Sequence, residues 1–493
     1  MGRETLELAR GSLFIDKIQR TFQAADADLL TRAHAFTQEK LCDGNSTGYK
    51  AANLLFDQDA DATTIAGALL APLIWQDLTD IGHVRELFGP EVATALEDLR
   101  DSFFIPIDID DQPRESENIH ALLTSIDGIP RKAILYIAFR LLALECATET
   151  CETTARQMAQ ETLDLLVPIA NRLSLGDLRR RLEDACFHVL DPHDYEKLRE
   201  KVSPIQSEDD KCLEILLAGV KRLLANSGIQ GRVQGRTKSL HGIRRKMART
   251  GKTLEEIMDR VGLRVIVTSV PECYSVLGLL HAHFKPIPGT FDDYIGLPKD
   301  NGYQSLHTCV YPVREISHKP IEFQVRTELM HLEAEHGTAA HWRYKNEAAA
   351  AERNHHRTQW MEGLVRQHRE SASSEAFIER LHRQVFRDHL VVFGNGGRIV
   401  RMPENATVRD YLKIINAHVP QDATVKVNGR IVALDCALRD GDSIAVPADR
   451  PAADSRFAEV TAQNALSVTG ALPPFHAETG DREMSAKGLA TDP

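Results

Sequence analysis

Ile321-Glu322-Phe323-Gln324-Val325-Arg326 alternates apolar and polar residues, the period-two repeat of a β-strand. Ile321, Phe323 and Val325 then face one way, and Glu322, Gln324 and Arg326 the other. Such a strand has a core behind it. Its polar side is either a solvated face or the lining of a cleft.

Outward from this stretch the pattern is mixed. Leu263 to Val267 reads as a short apolar strand and Pro271 to Phe284 as a helix with Leu277, Leu280 and Phe284 on one side. Tyr303 to Tyr311 reads as another strand, and Thr327 caps a helix running towards His341. Helices and strands alternating around one sheet predict an α/β-type domain over residues 201–345. Residues 1–200 carry helical spacing instead, as in Ala159 to Leu175 with Leu163, Leu166, Ile169 and Leu173 on one face. Ser203-Pro204-Ile205-Gln206-Ser207 reads as a break after them. Residues 346–385 are polar and helix-prone, a connector, and residues 386–447 are a compact β-grasp pattern. Its signals are a hairpin at Gly394-Asn395-Gly396-Gly397, a helix from Val408 to Ala417 and a turn at Asn428-Gly429. Residues 448–493, rich in Ala, Pro, Ser, Thr and Asp, read as disordered.

Composition narrows the function. A chain of 493 residues suggests three or four domains. It has no apolar run of the roughly 18 residues that a membrane span needs, and its first residues lack the apolar core of a signal peptide. Its eight cysteines form no CxxC pair, which fits a reducing cytoplasm and argues against a zinc ribbon or disulfide framework. A net charge of −12 argues against a chain that coats nucleic acid. Yet Arg232 to Lys252 holds eight Lys or Arg and no carboxylate. A cationic strip in an acidic protein points to a focused anionic ligand, although a solvated helix face has the same look.

Three signals stand near the opening strand. Asp259 precedes the apolar strand at 263–267. With Glu322 it offers the one or two carboxylates that Mg²⁺ uses alongside phosphate oxygens, and the cationic strip would neutralise those phosphates. In Gly302-Tyr303-Gln304-Ser305-Leu306-His307 the Tyr303 ring offers a flat surface for a base. Each has a plain structural alternative: a turn carboxylate, a solvated helix, a packed tyrosine.

Together they match a family. Residues 235–345 closely resemble the synthetase domain of the RelA/SpoT homolog family. The matching stretches are GRTKSLHGIRRKM, IMDRVGLRVIV, CYSVLGLLHAHFKPIPGTFDDYI, PKDNGYQSLHT, IEFQVRT and HGTAAHWRYK. LLVPIANRLSLGDLRRRLEDACFHVLDPHDYEKL resembles the family's helical link between its two catalytic domains, and residues 388–447 its TGS domain. The resemblance implies a multidomain α and α+β protein: an all-helical HD-like domain, a mixed-sheet nucleotidyltransferase-like synthetase domain and a β-grasp TGS domain. It implies pyrophosphate transfer from ATP to the 3′-hydroxyl of GDP or GTP. By position, Arg236, Lys238 and Lys246 would hold the ATP phosphates, Asp259 would bind Mg²⁺, and Glu322 would help bind the metal and act as base. Tyr303 would stack on guanine, with Lys299, Asn301, His307, Gln324 and Arg326 on the acceptor side.

The chain departs from the pattern in places. Dual-function members carry a metal-dependent HD hydrolase, commonly Mn²⁺-loaded. Here Ala71-Pro72 stands for its His-Asp, Trp75-Gln76 for its Glu-Asp, Phe139 for a later Asp, and no His lies near Tyr49-Lys50-Ala51-Ala52. Those replacements predict a helical scaffold without hydrolase activity. Thr290-Phe291-Asp292-Asp293 has the acidic character of synthetase-only members, which leans the acceptor preference towards GDP. Pro420-Gln421 replaces the Gly-His that meets the tRNA 3′ end, and the later helical, zinc-finger and ACT regions are missing. Sensing of ribosomes or uncharged tRNA is therefore in doubt but stays open, as does oligomerisation. Two rivals remain: a non-catalytic regulatory or binding member, and a pyrophosphokinase acting on the tRNA 3′ end.

Overall fold

The computed structural model describes residues 14–41, 46–97, 114–126, 129–146, 152–251, 253–254, 257, 261–299, 301–313, 319–337, 348–386, 389–395, 398–403, 406–415, 425–439 and 442–446. Asp259, Pro420-Gln421 and the 448–493 tail lie outside them. Two compact units emerge, residues 1–386 and 387–493.

The first unit begins all-helical. Its helices are α1 (Ala24–Lys40), α2 (Ser46–Asp57), α3 (Ala62–Trp75), α4 (Ile81–Phe88), α5 (Pro90–Leu96), α6 (Arg114–Ser125), α7 (Pro130–Glu145) and α8 (Glu152–Glu161). A π-helical turn at Thr162–Leu166 leads into α9 (Val167–Arg172), α10 (Gly176–Leu190) and α11 (Pro192–Asn226). Helix α3 is buried nearly all round, from Ala62 to Ile74, as expected of a stretch with almost no polar residue. Asp61 caps it by accepting from the Thr64 amide.

Two expectations need correcting here. Helix α11 runs unbroken through Ser203-Pro204-Ile205-Gln206-Ser207, so the boundary drawn at residue 200 falls inside a 35-residue helix. Pro204 is exposed, and packing on both sides of it holds the helix. Leu198 lies in a cluster with Phe187, Ile243 and Leu254, and Cys212, Leu216, Val220 and Leu224 lie under the sheet. That packing outweighs the ~3 kcal/mol a proline costs in a helix interior. Residues 346–385 are also more than a connector. Helices α15 (Ala348–Glu370) and α16 (Ser374–Phe386) bury Met361, Leu364, Val365, Phe377 and Leu381 in the main helical core.

The sheet is mixed. Its strands β1 (Gly231–Thr237), β2 (Val261–Val267), β3 (Asp292–Asp293), β4 (Leu306–Val310) and β5 (Ile321–Thr327) lie in the order β1-β2-β5-β4-β3. Only β2 and β5 run parallel. The strand expected from Tyr303 starts at Leu306, because Tyr303 to Ser305 are the exit of a turn. Helices α11, α13 (Val270–His283) and α14 (Glu328–Glu335) pack on this sheet, while α12 (Leu240–Thr250) follows β1 and packs on α10 and α11. Ile321, Phe323 and Val325 are fully buried with Leu263, Val265 and Val267 against α11 and α13. Thr327 caps α14 by accepting from the Met330 amide, and the helix ends at Glu335, short of His341.

In the second unit β6 (His389–Phe393) and β7 (Ile399–Pro403) form a hairpin. Next come α17 (Val408–Ile414), which ends short of Ala417, then β8 (Val425–Val427), β9 (Arg430–Val432) and β10 (Ile444–Ala445). Asn428 and Gly429 both have positive φ, 52° and 79°, the conformation a two-residue hairpin turn requires. A parallel bridge from Phe393 to Ser443 sets β6 beside β10. Val408, Tyr411 and Leu412 of the helix pack on Leu390, Val392, Val400 and Val425.

Candidate functional site

The polar face of the sheet is built by register. Arg236, Gly262, Glu322 and Cys309 lie opposite one another across β1, β2, β5 and β4, and Gln234, Arg264, Gln324 and His307 form the next row. Gly262 sits between Arg236 and Glu322, and a Cβ there would make only ordinary contact, 3.6 Å from the Glu322 carboxylate. Arg236 Nη1 lies 3.8 Å from Glu322 Oε2. Gln324 Nε2 donates to the same oxygen at 3.3 Å, and His307 Nδ1 lies 3.5 Å from Oε1.

His307 also meets the Tyr303 hydroxyl through Nε2, at 2.8 Å. Burial, then the charges of Lys299, Arg236, Arg326 and Arg264, lowers the His307 pKa to about 3. The imidazole is therefore neutral. If the Tyr303 O–H donates to Nε2, Nδ1 keeps its proton facing Glu322. The cationic field that suppresses protonation here is one that would attract a polyanion.

Tyr303 is presented by a tight turn. Gly302 has φ 81°, the Gly302 amide donates to the Lys299 carbonyl at 2.7 Å, and the Lys299 amide donates to the Tyr303 carbonyl at 3.1 Å. Asn301 Oδ1 accepts from the Tyr303 amide, and Asn301 Nδ2 donates to the Asn171 carbonyl. Asn301 thus fastens the loop to the helical part, helped by Ser174 Oγ donating to the Asn301 carbonyl at 2.7 Å. Lys299 is exposed, its ammonium 4.6 Å from the Tyr294 ring centre.

The cationic strip divides by role. Arg232 pairs with Glu328, Arg244 with Asp191 and Arg245 with Glu183. The last two pairs dock α12 on α10. Arg236 points to Glu322, while Lys238 and Lys246 are half-buried beside and on α12, which Ser239 caps.

Arg326 is not exposed to a ligand. Its side chain is fully buried, and Nη2 donates to His331 Nδ1 at 2.7 Å and to Glu335 Oε1 at 2.8 Å. Its guanidinium carbon lies 5.9 Å from the Tyr303 ring centre, so it supports the ring. Gln324 is 2% exposed. The polar side of β5 is thus largely covered, with Glu322 only partly exposed, and is not a solvated face. Arg264, Glu335, His331 and Arg180 were missed in the sequence. Arg264 left a signal, a charge in an apolar strand on the same parity as Gly262. Glu335 left none.

In the helical part Ala71 and Pro72 are buried within α3, Gln76 is exposed at its end, and Phe139 is 2% exposed with its ring centre 4.6 Å from that of Trp75. Among the described residues no group of three or more His, Cys, Asp or Glu is arranged to hold a metal ion. No helix among them is long and apolar enough to cross a membrane.

Comparison with known proteins places these features. Residues 235–349 match a region found in RelA/SpoT proteins, and residues 27–176 match an HD domain. A GTP pyrophosphokinase of Myxococcus xanthus is 31% identical over 409 residues, covering 82% of this chain and 54% of that protein. A guanosine-3′,5′-bis(diphosphate) 3′-pyrophosphohydrolase of Aquifex aeolicus is 33% identical over 430 residues, covering 85% and 60%. The chain thus spans little more than half the length of these relatives. The small alarmone synthetase 1 structure from Bacillus subtilis is 24% identical, covering 35% of this chain and 95% of that one, with a TM-score of 0.26.

Proposed function

We propose that this chain, which belongs to the RelA/SpoT family, is a GTP/GDP pyrophosphokinase that makes guanosine penta- or tetraphosphate from ATP. The observation that carries this reading is the convergence of Arg236, Glu322, His307 and Tyr303 on one sheet face in a cationic field. A carboxylate, an aromatic platform and fixed cations suit a reaction between two polyphosphates.

The acceptor's guanine stacks on Tyr303, and Lys299 lies on the same side. Arg236, Lys238 and Lys246 neutralise the donor phosphates. Glu322 takes the proton of the 3′-hydroxyl as its oxygen bonds to the β-phosphorus of ATP; the bridge between the α- and β-phosphates breaks and AMP leaves with its electrons. Glu322 is the described carboxylate suited to Mg²⁺, which takes one or two carboxylates with phosphate oxygens, and Asp259 would be the second. When bound, that ion would offset charge on the phosphates. His307, neutral, keeps the tyrosine and the carboxylate in one arrangement.

Hydrolysis of the product is not part of this reading. Alanine, proline and phenylalanine offer a metal no donor at Ala71, Pro72 and Phe139, and the uncharged amide of Gln76 is a poor ligand. Residues 388–447 are read as a TGS domain, and ATP with guanine nucleotides points to the cytoplasm.

The test is to incubate the protein with ATP, Mg²⁺ and GDP, GTP or tRNA, without and with ribosomes, and to follow AMP. AMP with GDP or GTP alone supports the reading. Label passing to the tRNA 3′ end would make it a tRNA pyrophosphokinase, and no AMP under any condition would make it a non-catalytic member.

A further inference from the structure

One buried carboxylate sits behind the acceptor side of the cleft. Glu335, the last residue of α14, has only 9% of its side chain exposed. Its Oε1 accepts from Arg326 Nη2 at 2.8 Å and lies 2.9 Å from Arg264 Nη2. Its Oε2 accepts from Arg180 Nη2, on α10, at 2.6 Å. Burial alone would raise this carboxyl's pKa, but Arg180, Arg264 and Arg326 pull it well below the carboxylate range.

Two guanidiniums converging on one oxygen repel each other. Burial first, then the Arg326 charge, lowers Arg264 to about 10. Without Glu335 they cannot both keep their places. Arg326 lies under Tyr303, so its displacement would tilt or unseat that ring. The donor side is held by ion pairs that Glu335 does not join: those of α12 run to Asp191 and Glu183, and Arg236 turns to Glu322.

Close backbone packing holds the carboxylate in place. A Cβ on Gly337, at φ 53°, would stand 1.9 Å from the Leu173 carbonyl oxygen, and one on Gly176 would stand 2.4 Å from that of Ala334. The end of α14 and the start of α10 therefore meet backbone to backbone, which fixes Arg180 opposite Glu335.

We infer that Glu335 is a positioning residue for the acceptor: by holding Arg264 and Arg326 together beneath Tyr303, it sets acceptor affinity without touching either substrate. This rests on the pyrophosphokinase reading above. The test compares wild type, Glu335→Gln and Glu335→Asp in steady-state transfer, varying ATP and the guanine nucleotide separately, with thermal unfolding of each. The expected result for Glu335→Gln is an acceptor KM raised about tenfold, with the ATP KM within about twofold; tenfold corresponds to about 1.4 kcal/mol. Glu335→Asp keeps the charge and should fall between the two. If Glu335→Gln, which takes a carboxylate from three arginines, does not fold, Glu335→Asp decides alone, with a smaller selective rise in acceptor KM expected. Equal changes in both KM values, or lost thermal stability with both unchanged, would overturn the inference and leave the pyrophosphokinase reading intact. A wild type that transfers no pyrophosphate would sink both.

Discussion

Two neutral histidines packed among arginines make the synthetase part acid-sensitive well above the pH at which carboxylates titrate. Burial, then the Arg326 and Arg264 charges, lowers His331 to about 3, and His307 is lowered to about 3 from the same side. Their exposures are 8% and 17%, so solvent screening takes little away. An unfolded histidine takes up its proton near pH 6.5. Between that pH and about 3 the unfolded chain binds more protons than the folded one. Stability is then fully present above about 6.5 and falls as the pH drops through that window. At about 1.4 kcal/mol per pH unit, acidifying from pH 7 to 5 costs on the order of 2 kcal/mol per histidine. Glu335 adds little between pH 7 and 5, since the stability from its lowered pKa begins to be lost only as the pH falls through the ordinary carboxylate range. His331→Gln keeps an acceptor for Arg326 and removes one titration. Urea unfolding followed by circular dichroism at both pH values should show wild type losing about 2 kcal/mol more on acidification than His331→Gln. Parallel losses would refute the claim that burial and the neighbouring arginines hold His331 neutral.

Four further outcomes are expected. Glu322→Gln, which keeps size and loses basicity, should lower the initial rate of transfer by roughly 10²-fold or more; near-normal turnover would remove Glu322 from the mechanism. Tyr303→Ala should weaken acceptor binding by about 1–3 kcal/mol and leave ATP binding nearly unchanged, as calorimetry with each nucleotide would show; equal weakening would mean the ring is not a guanine platform. GDP should be preferred to GTP, because exposed Asp292, opposite His307 in the sheet, disfavours an extra phosphate. A clear GTP preference in parallel titrations would contradict this. The protein with its product and Mn²⁺ should release no pyrophosphate, and steady release that survives Glu322→Gln would show the helical part to be a working hydrolase.

Much of this was legible because it was local. Period-two alternation placed the core and cleft sides of β5, and Thr327, Asn428 and Gly429 act as caps and turns through their own backbone preferences. What was missed depends on distant contacts. Pro204 looked like a stop because the packing that holds α11 on either side is invisible in its neighbours. The helices after residue 346 looked like a solvated connector because their polar composition hid an apolar stripe, Met361, Leu364 and Val365, that joins the core. Arg326 and Asn301 sit in motifs that the resemblance places on the acceptor side. Their side chains work one layer back, Arg326 beneath Tyr303 and Asn301 between its loop and Asn171.

That layer gives the helical part a physical role that needs no hydrolase. Helix α10 carries Arg180, which holds Glu335 beneath the acceptor ring, and Glu183, which pairs with Arg245 of α12 on the donor side; Asp191, just past its end, pairs with Arg244. Ser174, just before it, fixes the loop that presents Tyr303. One helix therefore touches the supports of both proposed substrate sites, and a shift of α10 would move both together. The apolar replacements at Ala71, Pro72 and Phe139 act in the same direction. They fill the interior of α3 and α7 with buried contacts, including the Trp75–Phe139 ring pair, where ionised metal ligands without a metal would cost stability. Apolar residues at these positions are thus compatible with a packed helical scaffold beneath the proposed synthetase site.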